Sequence, residues 1–239
     1  MRHIAPDVYL LDGLRGSNVY FLTSKDGYTL IDCGTPRQAQ HIEVQLQAAG
    51  YDLSQLHAIV LTHGHGDHMG SAAELERRSG AQVMAHRLDV SYIEQTRPLP
   101  FSSWYKRLML RFADRVLFRQ PPCKVDKALE EDDVIEVAGG LRVIHTPGHT
   151  PGSICLYQPE RELLFSGDAF FNMNLGTGKE RLRPSPAIIN VDSSQAKMSL
   201  KKLASLPLEV LCFGHGKPLL GGAGKLVEAM LRKIPASCA

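Results

Sequence analysis

The 239-residue sequence has no Cys-x-x-Cys pair, no long apolar run, no Gly-x-Ser-x-Gly elbow and almost no charge imbalance. Each absence removes a class of protein. Five scattered cysteines, Cys33, Cys123, Cys155, Cys212 and Cys238, argue against a disulfide framework or a thiolate metal site. Cys155 and Cys212 stand in apolar runs and read as core thiols. No stretch approaches the ~20 apolar residues of a membrane-spanning helix, so stable membrane insertion is not expected. The opening Met1-Arg2-His3-Ile4-Ala5-Pro6-Asp7 lacks the apolar core of a secretory signal, which makes a cytoplasmic location the expectation. A net charge of +2 is too weak a field to make nucleic acid an expected partner. No serine nucleophile is evident without the elbow.

What is present reads as a globular α+β chain, with 44% hydrophobic and 22% charged residues. Short strands are expected at Val8–Leu11, Asn18–Thr23 and Tyr28–Asp32, with a turn at Asp26-Gly27. A helix is expected over Pro36–Ala49, ending at Gly50. Strand Ala58–Leu61, helix Met69–Ser79 and strand Gln82–Ala85 follow. Residues Leu88–Gln120 lack strand alternation and read as a helical insertion. Strands resume at Val134–Val137, Leu141–His145, Ser153–Tyr157 and Leu163–Ser166. Helix Ser193–Ser205, strand Glu209–Phe213 and helix Gly224–Lys233 complete the pattern. Two packed mixed sheets flanked by helices, a four-layer αββα sandwich over residues 1–239, is the architecture this implies.

Five of the ten histidines follow strand-like runs in Gly-rich contexts: His63, His65, His68, His149 and His215. Asp168, in Ser166-Gly167-Asp168, does the same. In an extended loop His63 and His65 point to one side and can grip one metal. Asp67 and His68 lie where that loop turns into a helix and can face a second metal. Gly64 and Gly66 clear the approach. Imidazole and carboxylate without thiolate suit Zn²⁺ best, with Fe or Mn allowed. Asp168 is the candidate to bridge two cations. Gly176-Thr177-Gly178-Lys179 lacks the first glycine and the final Ser/Thr of a phosphate-binding loop, and reads as a plain loop.

His63-x-His65-x-Asp67-His68, Pro147-Gly148-His149-Thr150-Pro151-Gly152-Ser153, Ser166-Gly167-Asp168 and Gly214-His215-Gly216 together resemble the metallo-β-lactamase-fold hydrolase superfamily. The resemblance implies that fold, with His63, His65 and His149 on one metal and Asp67, His68 and His215 on a second. Asp168 would bridge them, and Asp67 or Asp168 would assist proton transfer. The glyoxalase II-like and lactonase-like branch carries all seven ligands. Asp32, in Asp32-Cys33-Gly34, either supports the ligands from behind or simply forms a turn. His86 and His145 read as core or supporting histidines. Antibiotic-hydrolysing members with a zinc-binding Cys would need a thiolate where Asp168 stands. Only 24 residues follow His215, too few for the glutathione-holding helical region of glyoxalase II.

The expected activity is hydrolysis of an ester, lactone or thioester of a small-molecule substrate. A phosphoesterase, an iron-dependent persulfide-type oxygenase using His63, His149 and Asp168, and a non-catalytic scaffold are the alternatives. Arg107, Arg111, Arg115 and Arg119 recur every four residues, a solvated arginine face in preference to an anion site. Leu108, Phe112, Val116 and their neighbours form an apolar face that would pack on the body or on a second copy in a homodimer. With Phe101, Trp104 and Tyr105 this insertion is expected to form a lid over the metal cleft.

Overall fold

Alternation along the strands sorts the apolar side chains into three cores. The computed structural model describes residues 1–25, 27–101, 108, 112, 121–174 and 176–233. A seven-stranded sheet runs in the order β1 (Arg2–Ala5), β2 (Val8–Leu10), β3 (Tyr20–Ser24), β4 (Gly27–Ile31), β5 (Leu56–Leu61), β6 (Gln82–His86) and β7 (Lys127–Leu129). Its first four strands are antiparallel and its last four parallel. The second sheet contains β8 (Val134–Ile135), β9 (Leu141–His145), β10 (Ile154–Gln158), β11 (Leu163–Phe165) and β14 (Val210–Cys212), ordered β14-β11-β10-β9-β8.

Tyr20 and Leu22 of β3 and Val60 of β5 face Val143, Leu156 and Phe165 of the second sheet, forming the central core. The residues between them, Phe21, Ile59 and Leu61, face outward onto Ile42, Leu46 and Leu75. Those three lie on helices α1 (Ala39–Ala48) and α3 (Ala72–Ser79). In the second sheet Cys155, Tyr157 and Leu164 face outward onto Leu200, Leu203 and Val227. These belong to α5 (Ser193–Leu203) and α6 (Ala223–Leu231). The four layers are therefore helix, sheet, sheet, helix, as the sequence leads one to expect. The central parallel strands are buried on both faces, which is why β5 reads as a continuous apolar run.

Several details differ from the sequence reading. Helix α1 begins at Ala39, because Arg37 takes a left-handed backbone (φ 70°) that a helix does not admit. The expected Met69–Ser79 helix is interrupted: a short α2 (Gly66–Met69) precedes α3. Gly70 lies between them, where an added Cβ would sit 2.3 Å from Pro36 N. The first edge strand β1, strand β7 and a small third sheet were not legible. That sheet pairs β12 (Phe170–Asn172) with β13 (Leu182–Pro184) and β15 (His215–Gly216); strands of two or three residues carry too little alternation to read. The Val134–Val137 strand shortens to Val134–Ile135.

Of the Leu88–Gln120 insertion, α4 (Val90–Ile93) is helical, and Leu108 and Phe112 are helical and exposed. Trp104, Tyr105, Arg107, Arg111, Arg115, Val116 and Arg119 lie outside the described residues, and with them most of the expected lid. Asp26 of the expected turn and Cys238 lie outside them too. Among the described residues no helix is long and apolar enough to cross a membrane. Cys33, Cys123, Cys155 and Cys212 are free and buried.

Candidate metal centre

Strand direction gathers the chemistry at one edge. β4 and β5 run parallel, and Asp32 N donates to Val60 O at 3.0 Å, so Asp32 and Thr62 leave side by side. β11 and β14 are also parallel, so Ser166–Asp168 and Phe213–His215 emerge in one direction. The loop after β9 brings His149. Helix α2 is stitched down by Cys33 N to His68 O at 2.7 Å and Ser17 N to Asp67 O at 3.0 Å.

All seven residues singled out from the sequence meet there. Three overlapping groups have ligand atoms within 4.8 Å of one another: His63, His65, His149; His63, His68, Asp168; and Asp67, His68, His215. The separations are specific. His63 Nε2 and His149 Nε2 are 3.2 Å apart, and His68 Nε2 and His215 Nε2 are 3.3 Å apart. His215 Nε2 lies 3.2 Å from Asp67 Oδ2. A tetrahedral ion with ~2.1 Å bonds holds its ligand atoms about 3.4 Å from one another, close to these spacings. Asp168 divides its oxygens: Oδ1 is 3.2 Å from His68 Nε2 and 3.5 Å from His215 Nε2, while Oδ2 is 3.4 Å from His149 Nε2.

Hydrogen bonding behind the imidazoles sets which nitrogen faces inward. Asp32 φ is 58°, a left-handed conformation that aspartate tolerates. From there Asp32 Oδ1 accepts Thr62 N at 2.8 Å, and Oδ2 accepts both Thr62 Oγ1 and His68 Nδ1 at 2.8 Å. Thr62 Oγ1 has then used its only proton, so it accepts from His63 Nδ1 at 3.1 Å. Asn190 Oδ1 takes His149 Nδ1 at 3.1 Å, and Ser185 Oγ donates to Asn190 Oδ1 at 2.7 Å. His63, His68 and His149 are thus each held with Nδ1–H outward and Nε2 toward the cluster. Two lone pairs 3.2 Å apart, as on His63 and His149, repel unless a proton or cation lies between them. His65 Nε2 and Asp168 Oδ1 are buried with no hydrogen bond among the described residues. The donor set fits a divalent cation of borderline softness.

The charges agree. Burial, reinforced by neighbouring imidazoles, holds His63 well below the usual histidine range and His65 down to about 3. Burial also lowers His149, against the pull of Asp168. For His68 burial acts the same way, but Asp168, Asp32 and Asp67 outweigh it and raise the group well above its ordinary value. His215 rises to about 9, as Asp168 and Asp67 overcome its burial. Carboxylates concentrate here and demand positive charge, which a proton or a metal can supply.

Sequence reading missed three supporting residues. Asp89, at the start of the insertion, ties two ligand loops together. Its Oδ2 accepts Gly64 N at 2.9 Å and Thr150 Oγ1 at 2.6 Å, and its Oδ1 accepts Gly152 N at 2.6 Å. Asn190 and Ser185, just described, are the others. Asp32, left open between two roles, supports His68. His86 and His145 form a stacked pair, ring centroids 4.0 Å apart, outside the three ligand groups.

An αββα sandwich with clustered His and Asp side chains at its strand ends defines a metal-dependent hydrolase class. The chain belongs to the metallo-beta-lactamase superfamily, whose family model matches residues 12–215. It is 31% identical over 217 residues to the probable metallo-hydrolase YflN of Bacillus subtilis, covering 86% of this chain and 82% of that protein. It is also 31% identical over 172 residues to a hydroxyacylglutathione hydrolase of Cereibacter sphaeroides, covering 71% of this chain and 51% of that one. Among solved structures, a metallo-beta-lactamase family protein of Thermus thermophilus matches with a TM-score of 0.71 at 23% identity, covering 96% of this chain and 80% of the other. BJP-1, a subclass B3 metallo-beta-lactamase of Bradyrhizobium japonicum, matches with a TM-score of 0.66 at 21% identity, covering 98% and 82%. These two likenesses concern the fold.

Proposed function

We propose that the protein is a binuclear metal-dependent hydrolase of carboxylic esters, lactones or thioesters. The observation that carries this reading is Asp168, whose two oxygens meet different imidazoles, so that one carboxylate can serve two cations. On this reading His63, His65 and His149 hold one cation, Asp67, His68 and His215 the other, and Asp168 both. Zn²⁺ suits these donors, and Fe or Mn is admissible. Such cations polarise a carbonyl and make water acidic near neutral pH.

The chain's own residues orient and move protons. The Asp67 side chain is 27% exposed against 4% for Asp168, so Asp67 is the carboxylate within reach of solvent. Against its burial, His68 and His215 hold its carboxyl well below the usual range, so it stays ionised and can accept, not store, a proton. Asp168 stays fixed between His68 and His149. No described thiol competes as nucleophile: burial pushes Cys123 and Cys155 up to about 12 and raises Cys33 and Cys212 further from reactivity. A relative named as a probable metallo-hydrolase supports hydrolysis, and one named as a hydroxyacylglutathione hydrolase supports an acyl substrate.

The test is metal quantification coupled to a panel of an ester, a lactone, a thioester and a phosphoester, before and after chelation. About two metals per chain are expected, with acyl cleavage lost on chelation and restored by Zn²⁺. One iron per chain with oxygen consumption would replace the hydrolase reading, and cleavage of the phosphoester alone would make it a phosphoesterase. Asp32→Asn tests the support of His68. An amide cannot accept at both oxygen positions, so metal affinity is expected to fall about 10–100-fold with the fold retained. Competition with a chromophoric chelator measures this, and unchanged affinity would count against the role.

A further inference from the structure

A cavity of about 240 Å³ adjoins the cluster, and its wall includes His149 together with Ser185 and Asn190. These are the two side chains that meet His149 Nδ1. The lining is mostly apolar, Leu200 among it, and its described residues include no Asp or Glu. It does contain two half-buried cations, Arg183 on β13 and Lys197 on α5. Neither side chain has an ion-pair or hydrogen-bond partner among the described residues. Two half-buried cations beside an apolar wall, with no acid among the lining residues, favour an anion. The amide hydrogens at the start of α5 do not serve this purpose, since Asp192 Oδ1 already takes Ser194 N at 2.8 Å and Gln195 N at 3.0 Å.

We infer that this cavity binds a small organic carboxylate, its charge between Arg183 and Lys197 and its short apolar body along Leu200. The volume is below the ~300–1,000 Å³ of sites for drug-sized ligands, which suits a short acid or one terminal limb. The carboxylate comes either from the substrate itself or from a separate acid. A separate acid would touch Ser185 and Asn190 and so bear on the orientation of His149. The activity arms below rest on the hydrolase reading, whereas the binding arm does not.

Hexanoate and the isosteric, neutral hexanamide are titrated calorimetrically into the native protein and into Arg183→Gln/Lys197→Gln. Hexanoate is expected to bind at least tenfold more tightly than the amide and to lose about tenfold in the double variant, the scale of a charge-assisted hydrogen bond. An unchanged thermal midpoint shows that the variant is folded. The activity arms compare the 4-nitrophenyl monoester of adipic acid with 4-nitrophenyl hexanoate. If the substrate supplies the anion, kcat/KM for the adipate ester falls about tenfold in the double variant while the hexanoate ester is unaffected. If a separate acid supplies it, free hexanoate alters cleavage of the neutral ester in the native protein and not in the variant. Absent binding, or binding that persists unchanged in the double variant, overturns the site. Binding that depends on both cations, with neither ester cleaved, removes ester hydrolysis and leaves the site standing.

Discussion

Asp168→Ala is expected to lose about 10³-fold or more in kcat/KM and to retain less metal than the native protein, since a shared ligand is worth several kcal/mol. The reason is geometric. Among the described residues Asp168 is the one carboxylate in contact with His68, His149 and His215 at once, at 3.2–3.5 Å. Its alanine leaves His149 with no carboxylate beside its Nε2, and leaves His68 and His215 with Asp67 alone on the cluster side. Asp168→Glu is not expected to rescue. A Cβ on Gly214 would lie 2.3 Å from Asp168 Oδ1, so the carboxylate is closely backed by Gly214 and a further methylene would drive its oxygens out of their places between the imidazoles. Plasma mass spectrometry and far-ultraviolet circular dichroism separate metal loss from unfolding. Full activity with unchanged metal content in Asp168→Ala would sink the two-metal reading.

Asp89→Ala is expected to destabilise the protein by about 3–5 kcal/mol and to weaken metal binding, although Asp89 is not one of the seven ligand residues. Three buried donors, Gly64 N, Gly152 N and Thr150 Oγ1, converge on its two oxygens. Gly64 stands between His63 and His65, and Thr150 and Gly152 follow His149. Removing the carboxylate strands the donors and frees two ligand loops together. Asp89→Asn keeps the shape but must turn its amide toward Gly64 N or Gly152 N, so a loss of about 1–3 kcal/mol is expected. Urea denaturation, with chelator competition on the folded fraction, reads both effects. Native stability and metal affinity in Asp89→Ala would show that the clip is dispensable.

The contrast between Asp89 and His63 explains what could be read in advance. His63, His65, Asp67 and His68 announce themselves because ligand types and clearing glycines occur within six consecutive positions. Asp89 sits in an ordinary Leu88-Asp89-Val90. Its partners lie 25, 61 and 63 positions away. Asn190 stands 41 positions from His149. Polar residues that act through distant partners carry no local signature, and Asp32 was ambiguous for the same reason, being 36 positions from His68. Short elements failed differently. β12, β13 and β15 are held by pairing to one another and not by any pattern of their own.

By itself the sequence determined the two sheets, their flanking helices and the donor chemistry at the strand ends. Those follow from short apolar runs such as Tyr20–Leu22 and Cys155–Tyr157 and from residue identity in short loops, both of which are local. Tertiary structure alone decided that Asp168 splits its oxygens between His68 and His149, that Nδ1 of three imidazoles points away from the cluster, and that Arg183 and Lys197 share a wall with His149. Each depends on parallel strand registers, Phe165 beside Cys212 and Ile31 beside Val60, which place loops far apart in the chain within hydrogen-bonding reach. Register is a property of pairing between strands, and no single strand carries it.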